Sequence, residues 1–134
     1  MCTDRFDEST VEQAAKEWLA EIGFRTGYAP VDAAVNDVRD SLGDCILWSY
    51  VADSLARFNP NADPDLIRSA VARIQRAESQ DIMSENQRLY ELMVRGVPVE
   101  TTDDDGRPST IRLQLVDFET PENNDWRALN QFTI

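Results

Sequence analysis

The sequence predicts an α+β fold, with N-terminal helices over about residues 9–95 followed by antiparallel strands over about residues 97–134. Three observations predict it. Apolar residues recur at helical spacing through the first two thirds of the chain, and after Gly96 their period falls to two. Caps, prolines and glycines fall between the periodic segments, where helices stop and start. At 134 residues the chain fits one domain with a modest core, residues 1–134.

The first helix carries Val11, Ala14, Ala15, Trp18, Leu19 and Ile22 as one apolar stripe. Ser9 followed by Glu12 matches a capping box, and Gly23 marks the stop. Residues 24–43 are ambiguous, with Gly27, Pro30 and Gly43 dividing short apolar pieces. A second helix is predicted over about residues 44–58, with Leu47, Val51, Leu55 and Phe58 on one side and Asn59-Pro60 as its end. The third opens on Asp63 as cap and Pro64 at the first helical position. Ile67, Ala70, Val71 and Ile74 form its buried side. The fourth runs over about residues 81–94, through Ile82, Leu89, Leu92 and Met93, and ends at Gly96.

Residues 97–101 form a short strand, placed at a sheet edge because Pro98 has no amide hydrogen for a ladder. Asp103-Asp104-Asp105-Gly106 is a turn. Ile111, Leu113 and Leu115 alternate along a second strand expected to reach Phe118. Residues 119–125 form a polar loop. A third strand is expected from residue 126 to Ile134, with the sheet continuing into strands beyond it.

Composition narrows the chemistry. The chain contains no histidine, which removes Ser-His and Cys-His catalysis and His-ligated zinc. Its two cysteines, Cys2 and Cys45, lack metal-ligand spacing and read as reduced thiols. Chemistry would run on carboxylates with Lys16, the only lysine, or an arginine in support. Mg²⁺ is the cation such ligands suit. The net charge of −12 argues against a free-standing nucleic-acid binder, which needs clustered Lys and Arg. No apolar run approaches the ~20 residues that span a bilayer, and the first residues show no signal-peptide pattern. A cytoplasmic protein is the expectation.

Several residues are candidates for function. Glu8 and Glu12 lie one helical turn apart. If the first helix includes Glu8, that carboxylate projects within the arc of the apolar stripe, where a metal ion or a partner would compensate its burial. If Ser9 caps the helix, Glu8 lies outside it in solvent. Arg68, Arg73 and Arg76 lie opposite the apolar side of the third helix and read as a solvated face before a phosphate-binding one. The three aspartates Asp103, Asp104 and Asp105 read as an acidic turn, because the distal ligand of a calcium loop is missing. Asp117 stands at a strand end, where metal ligands and plain loop starters both occur. Gln131, between Asn130 and Phe132, needs a hydrogen-bond partner if buried.

Taken together, one run of motifs resembles a known family. Asn59-Pro60, then Asn86, Tyr90 and Leu92 leading to Gly96-Val97-Pro98-Val99, precede Leu115-Val116-Asp117-Phe118. Pro121-Glu122-Asn123-Asn124-Asp125 and Asn130-Gln131-Phe132-Thr133 follow. This order and spacing resembles the N-terminal nuclease region of the restriction (R) subunit of type I restriction-modification enzymes, from Glu8 onward and with residues 24–43 matching poorly. The resemblance implies the front part of a PD-(D/E)xK-like nuclease core that uses Mg²⁺, with an ATP-driven motor following in the parent enzyme. It further implies modification and specificity subunits as partners, with DNA reached through that complex and no membrane. By resemblance Glu8 takes the place of a helix-one glutamate supporting the metal site, and Gln131 that of a site-lining glutamine.

The chain departs from the family pattern in carrying no Glu-x-Lys. By resemblance, the catalytic aspartate and that pair lie downstream of the Gln-Phe strand. The expectation is a region that is inactive in isolation and binds neither Mg²⁺ nor ATP tightly. Two alternatives stand beside it: an acidic, DNA-mimicking module that regulates a nuclease or modification partner, and a small protein that pairs its sheet edge with a second copy.

Overall fold

The computed structural model describes residues 7–28 and 46–130. They fall into two compact units, one spanning residues 48–124 and the other joining residues up to 47 with those from 125 onward. The fold is α+β, as the change of period predicts.

The larger unit holds the core. Helix α2 (Trp48–Phe58) is followed by α3 (Pro64–Gln75) and α4 (Ile82–Arg95), then by strands β2 (Val97–Thr102) and β3 (Pro108–Leu113). Asp63 caps α3 by accepting from the Leu66 amide, with Pro64 where its missing N–H costs nothing. Asp81 caps α4 through the Ser84 amide. Leu55, Ile67, Ala70, Ile74 and Leu92 from the helices meet Val97, Val99 and Leu113 from the hairpin in one apolar cluster. Leu55 and Val97 are its largest fully buried side chains.

The hairpin closes as the aspartate run predicts. Asp103 Oδ1 accepts from the amides of Asp105 and Arg107, and Gly106 takes the positive φ of 76° that the turn requires. Strand β2 pairs antiparallel with β3 alone among the described residues, so Pro98 lies on a two-stranded hairpin. Gly96 joins α4 to β2 at φ 85°, where an added Cβ would stand 2.9 Å from the Leu113 carbonyl oxygen.

Strand β3 stops at Leu113 and does not reach Phe118. The Asn59 amide takes both backbone groups of Gln114, with Nδ2 donating to its O at 2.7 Å and Oδ1 accepting from its N at 2.9 Å. A side chain thus replaces the next rung of the ladder. The loop predicted after it contains one 3₁₀ turn, Pro121–Asn123.

Arg88 ties α3 to α4. Its guanidinium donates to the carbonyls of Arg73 and Ile74 at the end of α3, and its Nε donates to Glu85 at 3.0 Å. The other Glu85 oxygen accepts from the Glu78 and Ser79 amides.

The smaller unit contains α1 (Glu8–Glu21), β1 (Arg25–Tyr28) and β4 (Arg127–Asn130). Helix α1 begins one residue before Ser9. The cap is Asp7, whose Oδ1 accepts from the Thr10 amide and from the hydroxyls of Ser9 and Thr10. A charged acceptor outcompetes the neighbouring hydroxyl, so the predicted Ser9–Glu12 capping box does not form. Gly23 ends the helix at φ 101°, as expected.

Residues 25–28, within the ambiguous stretch, form a strand that pairs parallel with β4, from Arg25 opposite Arg127 to Tyr28 opposite Asn130. The strands are therefore not all antiparallel and do not all follow the helices. The rest of the ambiguous stretch, and the expected strand beyond Asn130, lie outside the described residues.

The candidate functional corner

The α1–β1–β4 layer brings polar side chains together at one end. Helix α1 reverses at Gly23 and runs back along β1, with the Phe24 amide returning to the Leu19 carbonyl. Phe24 stacks on Trp126 with ring centroids 5.6 Å apart, and the Arg25 amide donates to the Trp126 carbonyl. Asp125 receives both Nε and Nη2 of Arg127 at 3.1 Å, fixing the entry to β4. These contacts hold the amino ends of the two parallel strands in register.

The amino half of α1 consequently lies beside the carboxyl ends of β1 and β4, the end at which parallel strands present ligand sites. There Asn130 bridges two residues of α1. Its Nδ2 donates to Glu12 Oε2 at 3.0 Å, and its Oδ1 accepts from Lys16 Nζ at 3.3 Å. Glu12 thus serves the helix–sheet junction and not the helix cap.

Glu8 is inside the helix, as its first residue, and exposed. The expected apolar stripe of α1 is only partly turned to the layer. Ala14 and Leu19 are half-buried, whereas Val11, Trp18 and Ile22 are 61%, 68% and 72% exposed. Gln131 follows Asn130 in sequence and lies outside the described residues, as do Cys2 and Cys45.

The remaining candidates resolve as structural. Asp117 Oδ1 accepts from the amides of Glu119 and Thr120, and its Oδ2 from the Asn123 side chain. The Thr120 amide, then Asn123, hold its carboxyl below the usual range. Asn124 closes the same loop from both sides, bonding the Asp117 amide and carbonyl. Asp117 is a loop starter whose acceptors are in use. Arg68 pairs with Asp65 and Arg73 with Glu78 on the exposed side of α3, a solvated face. An open groove of about 650 Å³ between Tyr90, Met93, Gly96, Arg112 and Phe118 includes Asp117, yet gathers no set of reacting groups.

Among the described residues no three carboxylates or thiolates converge as metal ligands. At the α1–β4 corner the carboxylate of Glu12 accepts from the Asn130 amide, whose own oxygen accepts from Lys16. The described side chains therefore do not fit a Mg²⁺ cage. The Glu12–Asn130–Lys16 contact escaped sequence reasoning because its parts are 118 and 114 positions apart.

The family described as the N terminus of the type I restriction enzyme R protein matches residues 5–134. The chain belongs to this family. Its R-protein relatives include the type I restriction enzyme HindI endonuclease subunit of Haemophilus influenzae, 28% identical over 131 residues. A putative type I restriction enzyme MjaIXP endonuclease subunit of Methanocaldococcus jannaschii is 23% identical over 128 residues. Each alignment covers 96% of this chain and 12% of the relative, so the chain corresponds to a small part of such an R protein. No solved structure matches the chain. No described helix is long and apolar enough to cross a membrane.

Proposed function

We propose that the chain serves as the N-terminal part of the subunit that cuts unmodified foreign DNA in a type I restriction-modification system. The observation that carries this reading is the family match over residues 5–134. We further propose that the α1–β1–β4 layer flanks a PD-(D/E)xK-like nuclease core. A helix whose amino half meets the carboxyl ends of parallel strands supports that role. Glu8, on the first turn of α1, is the proposed site-flanking glutamate, and Gln131 the proposed site-lining residue beyond β4.

Mg²⁺ and ATP belong, in this reading, to the complete enzyme and not to this chain. The partners are the rest of the R subunit and the modification and specificity subunits, with DNA reached through their complex. The net charge of −12 fits a region balanced by more basic neighbours.

The isolated chain carries no Glu-x-Lys and is expected to leave supercoiled plasmid intact in Mg²⁺. Dose-dependent cutting that disappears in Glu8→Ala would overturn the reading of this region as scaffold.

A further inference from the structure

Helix α4 is apolar on two sides, and among the described residues only one of them is covered. Leu92 enters the core cluster and Leu89 packs against it, while Glu85 and Arg88 tie that side to the end of α3. The other side carries Ile82, Met83, Tyr90, Met93 and Val94, all exposed. Ile82 and Met93, like Met83, Tyr90 and Val94, recur at whole helical turns, so the five share one face. A helix face turned to water ordinarily carries polar and charged residues. This one is apolar along the length of α4, and Met83 is 76% exposed. Tyr90, Met93 and Val94 also line the open groove, together with the exposed Phe118. Contiguous apolar surface of this kind, rimmed by polar residues, marks interaction sites.

We infer that this face of α4 and the adjoining groove are an intramolecular docking surface, covered by an apolar surface of the R polypeptide outside this region. Two observations select that occupant. The chain accounts for 12% of each R protein it matches, so most of such a polypeptide lies outside it. Attachment presents that remainder at a high effective concentration, so one helix face suffices to hold it. A second copy of this chain would instead bring another net charge of −12 against the first.

The inference rests on the proposed reading of the chain as part of an R subunit. Its test reads methionine chemistry and not DNA cleavage, so the two fail separately. Two of the three methionines, Met83 and Met93, stand on this face. The probe is dilute hydrogen peroxide, with sulfoxide formation at each followed by peptide mass spectrometry.

In the isolated chain both should oxidise rapidly, at rates unchanged by dilution. In a complete subunit containing this region both should oxidise at least about tenfold more slowly, because peroxide must reach the sulfur. Ile82→Glu combined with Val94→Glu should keep the thermal midpoint of the isolated chain, since both side chains are exposed. The same pair should restore rapid oxidation in the complete subunit. If the midpoint falls, Ile82→Glu alone carries the expectation at Met83, because a carboxylate suits the first turn of a helix.

Equal rates in the isolated chain and the complete subunit overturn the inference, as does protection that persists in the charged variants. Slow oxidation in the isolated chain overturns it too. If dilution relieves it, a second copy is the occupant, and if not, the chain covers its own face. A subunit that needs this region for cutting, yet leaves both methionines reactive, refutes the docking surface and spares the proposed function.

Discussion

Asn59 and Gln114, 55 positions apart, are joined by two hydrogen bonds between the Asn59 amide and the Gln114 backbone. Asn59 Nδ2 also donates to the Leu55 carbonyl at the end of α2. One side chain therefore terminates a helix and a strand together. Asn59→Ala removes all three bonds, and Asn59→Asp removes the two donated ones. Both should destabilise the chain by about 1–2 kcal/mol, the scale of two net hydrogen bonds. The midpoint of urea unfolding measures this, and an unchanged midpoint would refute the account of where β3 ends.

Gly96 combines a left-handed backbone with close packing. Gly96→Ala should cost about 1–3 kcal/mol, from a positive φ together with a Cβ 2.9 Å from the Leu113 oxygen. Gly23 has a positive φ but no atom within 4 Å of an added Cβ, so Gly23→Ala should cost less. Thermal unfolding of the two variants should give that order.

Leu55 is fully buried at the centre of the apolar cluster. Leu55→Ala should destabilise by about 2–5 kcal/mol, the range for truncating a core leucine. A loss under 1 kcal/mol would mean that the helices do not close on the hairpin as described.

Stability should fall in acid. Desolvation pushes Glu85 upward, but the Glu78 amide, the Arg88 guanidinium and the Ser79 amide outweigh it and leave its pKa below the ordinary 4.5. The Ser84 hydroxyl and amide hold Asp81 below 3.8, and the Thr120 amide and Asn123 do the same for Asp117. A lowered folded-state pKa contributes stability above the unfolded value, lost as pH falls through the folded one. Stability should therefore be level above about pH 5 and decline below it. Glu85→Gln and Asp117→Asn should each flatten the decline. A pH series of urea titrations tests this, and an unchanged slope in both variants would contradict it.

The legible parts of the fold were those written in local signals. Asp63-Pro64, Gly96 and Asp103–Gly106 each act within four residues, and each sits where the sequence predicts. What escaped was long-range or competitive. Nothing near residues 25–28 announces a parallel partner a hundred positions away. Asp7, Ser9 and Thr10 all can cap α1, and the charge of Asp7 decides among them.

The motifs that carried the resemblance prove largely structural. Asn59, Asp117, Asn123 and Asn124 close loops, and their spacing reflects which backbone groups they must reach. That explains why a region can bear the family's pattern over nearly its whole length while holding, among its described residues, no metal-ligand cluster.

Under the proposed function, the most direct measurement is cleavage of unmodified DNA by a complete subunit containing this region, assembled with the proposed modification and specificity partners, with and without the region. Deleting the region should abolish cutting while ATP hydrolysis persists. Cutting that continues undiminished without it would contradict the account.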